Sequence, residues 1–142
     1  MIPNIELLTQ EITEVNYPTR TYKIEVRHDP EKTLDEIDDR INGYTDDVDA
    51  VKQAIYLILS TERYQHIIYS WDYGVELVDL FGKPMPYVMS ELPRRITEAL
   101  TQDNRISDCK DFDFIKNGKT LLTTFTVVTN AGDIPTELEV EV

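Results

Sequence analysis

The chain has 142 residues, 41% of them hydrophobic, with 14 basic and 27 acidic side chains for a net charge of −13. That length and apolar content suit one domain with a single modest core and exclude a chain disordered throughout. No apolar run reaches membrane-span length, no secretory leader is expected, and an acidic surface repels phosphate backbones, so neither a membrane nor a nucleic acid is expected as partner.

The charge is uneven: residues 1–50 carry 13 acids against 5 bases, and the remainder carries 14 against 9. Solubility is the plain reading of such a surface, and docking to basic patches on protein partners is the sharper one. The lone cysteine, Cys109, cannot form an internal disulfide. It fits a reducing compartment and reads as a small core or surface residue.

In chain order, residues 1–20 read as an N-terminal arm and 21–142 as one α+β domain. Within the arm, Ile5, Leu8, Ile12 and Val15 have helical spacing, bracketed by Pro3 and Pro18. Thr21 to Arg27 alternates as a strand, with Tyr22, Ile24 and Val26 on one face. Glu31 to Arg40 is strongly acidic, with Leu34, Ile37 and Ile41 at helical spacing. Asn42-Gly43 then reads as a turn, which either ends that helix or joins a second strand.

Thr45, Asp46 and Asp47 offer capping oxygens and negative charge at a helix start. Val48, Val51, Ile55, Ile58 and Leu59 continue as a stripe, predicting a helix over 47–61. Ile67 to Leu80 is apolar and aromatic but broken by Gly74, and short loops or a helical turn are expected there. Ser90 is expected to cap a second helix with Pro93 in its first turn. Leu92, Ile96, Ala99 and Leu100 form its buried stripe, with Arg94, Arg95, Glu98 and Asp103 facing outward.

The last third reads as β. Phe112 and Phe114 alternate with aspartates, Asn117-Gly118 signals a hairpin, and Leu121 to Thr129 is rich in β-branched residues. Asn130 to Asp133 makes a second turn. Leu138, Val140 and Val142 alternate with Glu137, Glu139 and Glu141, giving a strand with one wet face. The fold class is therefore α+β: two principal helices on a mostly antiparallel sheet that ends in a three-strand meander.

Chemistry concentrates where the first helix ends, at Thr61-Glu62-Arg63-Tyr64. A Glu-Arg pair between two apolar blocks costs desolvation energy unless it is hydrogen-bonded or meets a partner. Its place at a helix end beside aromatics assigns Glu62 and Arg63 to binding rather than folding. Tyr64, Tyr69, Trp71 and Tyr73 form the densest aromatic cluster, which reads either as core or as an interface hot spot.

Glu62, Asp72 and Glu76 invite a glycan-hydrolase reading, yet no carboxylate pair stands out among 27 acids. His28 and His66 lack metal-ligand spacing, and Asp46-Asp47-Val48-Asp49 lacks the glycine and terminal glutamate of a calcium loop. No metal, cofactor or small-molecule substrate is expected. A generic acidic adaptor is the remaining alternative.

Several blocks together resemble a known family. They are Asp49 to Ile55, Leu59-Ser60-Thr61-Glu62-Arg63-Tyr64, Ile68 to Leu77, Leu92 to Leu100, Asp103 to Ile106, and Phe125 to Val128. The chain from about Thr21 to Val142 is similar to the XkdS-like family of contractile-tail and defective-prophage proteins. That family is allied to the gene-25-like baseplate wedge proteins and to the TssE subunit of type VI secretion baseplates.

In the wider wedge family a helix ends in Gly-Glu-Arg or Glu-Pro-Arg, followed by an aromatic-Gly pair. Glu62-Arg63 and Tyr73-Gly74 stand in those places here, without the proline. The resemblance implies a non-enzymatic structural protein of the virion tail baseplate, made in the host bacterial cytoplasm. It implies that the charged signature contacts the wedge core and that the β portion seeds the first sheath ring by strand sharing. The expected partners are other wedge proteins and sheath subunits. The expected contact residues are Glu62, Arg63, Tyr64, Trp71, Tyr73 and Gly74 on the loop, and Glu137, Leu138, Glu139, Val140, Glu141 and Val142 on the last strand.

Overall fold

The computed structural model describes residues 19–25 and 40–142. The expected arm, apart from Thr19 and Arg20, and the expected acidic helix over 31–39 lie outside the described residues. The elements run β1 (Thr21–Glu25), β2 (Arg40–Thr45), α1 (Asp47–Leu59), α2 (Met85–Leu100), β3 (Ile106–Asn117), β4 (Thr120–Thr129) and β5 (Gly132–Glu141), with a 3-10 turn at Val78–Leu80. β1 and β2 pair as an antiparallel two-stranded sheet, and β3-β4-β5 form the expected antiparallel meander.

Helix α1 begins where its sequence says it should. Asp46 is the N-cap, and its carboxylate accepts a hydrogen bond from the Asp47 N–H at 2.8 Å. Val51, Ile55, Ile58 and Leu59 enter the core. The helix stops at Leu59, with Ser60 as its C-cap.

Two expectations need correction. Ile41, Asn42 and Gly43 belong to β2 rather than to a helix end and a turn. Between Tyr22↔Tyr44 and Ile24↔Ile41, β1 holds one residue and β2 holds two, so the extra residue forms a bulge. Gly43, at φ +70, supplies the left-handed conformation that the bulge requires.

The second correction concerns α2, which starts at Met85 and not at Ser90. Pro84 is its N-cap and Pro86 lies in the first turn, where a missing N–H costs nothing. Pro93 is therefore in the helix interior. The earlier start adds Val88 to the buried stripe of Leu92, Ile96, Ala99 and Leu100. The Ser90 hydroxyl, rather than capping, donates to the Tyr87 carbonyl at 2.7 Å.

One core joins α1, α2 and one face of the meander. It contains Leu92, Ile96 and Leu100 from α2, together with Leu121, Phe125 and Val127 from β4 and Ile134 and Val140 from β5. Strand β4 alternates strictly, with odd-numbered residues buried and even-numbered ones half-buried. Thr123 falls on the buried face, fully enclosed, and its hydroxyl has no hydrogen-bond partner among the described residues. Replacing Thr123 with valine should raise stability by about 1 kcal/mol, because a buried hydroxyl without a partner carries its full desolvation cost. A higher urea midpoint with an unchanged slope is the expected reading.

The β1–β2 hairpin is fastened to α1 through Gln53. Its side-chain amide accepts from the Ile24 N–H at 2.9 Å and donates to the Tyr22 carbonyl at 2.8 Å, as a neighbouring strand would. Tyr22 and Tyr44 stack across the pair with ring centroids 5.0 Å apart, and the Arg20 guanidinium lies 4.1 Å from the Tyr44 ring centroid.

Candidate docking loop and sheet edge

The loop after α1 is closed at its base by a short parallel bridge between Glu62 and Val75. The Arg63 N–H donates to the Val75 carbonyl at 3.1 Å, and the Val75 N–H donates to the Thr61 carbonyl at 3.0 Å. The charged pair completes this clasp from both sides.

Glu62 turns its carboxylate onto the returning chain, where it accepts from the N–H groups of Leu77 (3.0 Å) and Val78 (3.2 Å). Arg63 turns inward and is only 7% exposed. Its Nε donates to the Gly74 carbonyl at 3.2 Å, one terminal nitrogen to the Asp72 carbonyl at 3.2 Å, and the other to both Glu98 carboxylate oxygens at 2.9 and 3.0 Å. Glu76 stands 3.8 Å away as a second counter-charge. Burial works to lower the guanidinium pKa, but the hydrogen bond and charge of Glu98 together with the charge of Glu76 offset it, and the net shift is upward.

A second arginine holds the next turn. Arg95 donates to the Glu76 carbonyl at 2.8 Å and pairs with Asp79 and Glu91. Arg95 and Glu98 were both expected to face outward on α2. Arg95 is half-buried on its flank instead, while Glu98 is exposed as expected and still reaches Arg63, the loop's anchor.

Gly74 is where the clasp closes most tightly. Its φ is +95, and a Cβ built there would sit 2.6 Å from the Thr61 carbonyl oxygen. Tyr64 also adopts a left-handed conformation, at φ +67, which is costly for an aromatic residue. Tyr73 is partly buried against the core and stacks on Tyr69 at 4.6 Å. Two i→i+3 turns, Tyr69 N–H to the His66 carbonyl and Tyr73 N–H to the Ser70 carbonyl, shape the tip.

Beyond the clasp the apolar residues face solvent. Ile67 is fully exposed, Ile68 is 87%, Trp71 85% and Tyr64 65% exposed. Core packing does not account for Trp71 or Tyr64. Ile67 and Ile68 are fractionally more exposed than the aromatics, and the sequence does not single them out as contact residues.

The carboxylates once considered for glycan hydrolysis are otherwise occupied. Glu62 is bound to two backbone N–H groups. Asp72 is held below the usual carboxylate range, chiefly by a hydrogen bond with Ser70, whereas a catalytic acid needs a raised pKa. Cys109 is buried, and burial pushes its thiol up to about 11. Among the described residues no group of three His, Cys, Asp or Glu side chains converges as metal ligands. No described helix is long and apolar enough to cross a membrane.

The other predicted contact residues lie together on β5 and, for Val142, just past its end, at one margin of the meander. Glu137, Glu139 and Glu141 are exposed, Val140 is buried, and Leu138 and Val142 are half-buried. The Val142 N–H donates to the Lys119 carbonyl at 2.8 Å, which fixes the phase of the strand. Even-numbered residues of β5 direct their backbone groups to β4, and odd-numbered ones direct theirs outward.

The outward row is therefore Asp133, Pro135, Glu137, Glu139 and Glu141. Pro135 has no N–H to offer, so among the described residues the open donors run from Glu137 to Glu141. The opposite margin, β3, has register breaks between Ile106 and Asp108 and between Lys110 and Asp113, with Asp111 at φ +58. Such bulges twist an edge out of pairing geometry.

Comparison with known proteins gives the family. A family model described as the contractile injection system sheath initiator matches residues 20–132, from the start of the hairpin to the first residue of β5. The chain is 34% identical over 141 residues to the phage-like element PBSX protein XkdS of Bacillus subtilis (strain 168), covering 96% of this chain and 94% of that protein. With most of its length matched on both counts, this chain belongs to the contractile injection system sheath initiator family.

Proposed function

We propose that this chain, a structural tail component by its family, sits in the baseplate wedge of a contractile tail. There it docks to the wedge core through the loop around Glu62 to Gly74 and offers β5 to the first ring of sheath subunits. It acts by assembly and not by catalysis. Residues 21–142 serve as the assembly domain, with residues 1–20 as its arm.

The single observation that carries the reading is the asymmetry of the meander. β5 presents an uninterrupted outward row over Glu137–Glu141, while β3 is broken by two bulges. An added strand supplies backbone hydrogen bonds along that row. Lysine or arginine at its alternate positions would neutralise the three glutamates.

Proline substitution separates the edge from the fold. Glu139→Pro removes an outward N–H, and its fold should shift by no more than about 1 kcal/mol. Leu138→Pro removes an inward N–H that the β4 ladder needs, and the meander should unfold. Electron microscopy of tails assembled with Glu139→Pro should show baseplates without sheath. Replacing Glu137, Glu139 and Glu141 together with lysine should give the same phenotype by repulsion. Full-length sheaths on both variants would exclude strand sharing at β5.

A further inference from the structure

The exposed loop tip, Gln65-His66-Ile67-Ile68-Tyr69-Ser70-Trp71, carries no Asp, Glu, Lys or Arg, in a chain where 29% of residues are charged. Its two isoleucines and its tryptophan are more than four-fifths exposed. The Glu62-Arg63 pair, by contrast, is committed to the loop's own backbone and to Glu98. An interface core is depleted of charge and enriched in aromatics, with polar groups at its rim.

We infer that Ile67, Ile68 and Trp71 are the anchors that touch the partner, that they enter an uncharged apolar groove on another protein subunit, and that Glu62, Arg63 and Gly74 are positioning residues that hold this tip in its docking shape. The inference rests on the wedge-docking reading and changes which atoms make the contact.

Charge selects this occupant over two others. A lipid surface that recruits an apolar loop is normally assisted by neighbouring bases, and here the net charge is −13. A second copy would bring another −13 into contact, and like charge opposes that approach. A neutral groove on a protein meets neither penalty. The clasp adds affinity by removing the ordering cost: the loop is closed by backbone bonds at Arg63 and Val75 before the partner arrives.

The test uses the full chain, with its gene deleted from the phage or prophage and variants supplied in trans. Trp71 is the only tryptophan, so its fluorescence reports on the tip alone. The double variant Ile67→Ser, Ile68→Ser should keep the wild-type melting temperature, yet its incorporation into purified tails should fall at least tenfold. Arg63→Lys, measured below its melting temperature, should lower Trp71 anisotropy and also reduce incorporation, although every anchor is present. A purely structural arginine would leave the anisotropy of the folded protein unchanged.

A photo-cross-linker at position 68 should capture a different tail subunit from one at position 139. Normal incorporation of the double isoleucine variant would overturn the anchor assignment. So would a position-68 cross-link to a second copy, or a blue shift of Trp71 emission on vesicles of phosphatidylcholine and phosphatidylglycerol. Absence of the wild-type chain from tails would instead overturn the wedge reading, and the anchor assignment with it.

Discussion

Arg63→Ala should destabilise the fold by about 3 kcal/mol, lowering the melting temperature by roughly 10 °C. The sequence alone suggested the opposite, a folded protein that fails only in assembly. The difference lies in where the guanidinium points. Its removal leaves the carbonyls of Asp72 and Gly74 without donors and the Glu98 carboxylate without its bidentate partner. Glu98 is 46% exposed and regains water, which keeps the cost at the low end of the range for a broken buried pair. The loss should be local: protease should cut within 64–73 while α2 and the meander stay protected. Calorimetry with limited proteolysis reads both effects. A variant that melts like the wild type and resists cleavage would show that the clasp does not depend on Arg63.

Gly74→Ala should be at least as damaging, by about 3 kcal/mol or more, although it adds one methyl group. The added Cβ meets the Thr61 carbonyl oxygen at 2.6 Å and the Arg63 nitrogen at 3.2 Å, and both are backbone atoms that cannot rotate away. A φ of +95 adds strain for any side chain. Relief requires opening the bridge between Glu62 and Val75, which releases the loop that Glu62 and Arg63 otherwise hold. Gly82→Ala is the control, because it also has positive φ (+73) but open space around its Cβ, so only the conformational cost remains. Equal melting temperatures for the two variants would refute the close-approach argument.

What could be read from the sequence was local. Helix α1 carried both a cap, at Asp46, and a 3.6-residue stripe. The meander carried period-two alternation between turns at Asn117-Gly118 and Asn130 to Asp133. Neighbouring residues decide both signals.

The start of α2 was misplaced because Pro93 reads as a first-turn proline, whereas Pro84 and Pro86 hold the places at the helix start. β2 was misread because Ile41 continues a helical spacing and Asn-Gly is a common turn, and only pairing with β1 reveals the bulge. The clasp was out of reach for a different reason. Arg63 finds Glu98 across 35 residues, and Glu62 finds Leu77 across 15. Ile67 and Ile68 were not assigned as contacts because a short apolar run looks the same in sequence whether buried or exposed.

The unequal margins of the meander set a valence. A sheet with two open margins is a link: it accepts a strand on each side and can be inserted anywhere in a series. With β3 bent by its two bulges, a sheet that shares a strand at β5 along Glu137 to Glu141, as proposed, would have one main place for a partner strand. A subunit of valence one belongs at the end of a series and cannot sit within it. On the proposed reading, each copy would start a single row of sheath, and the number of rows around the tube would equal the number of copies placed in the baseplate.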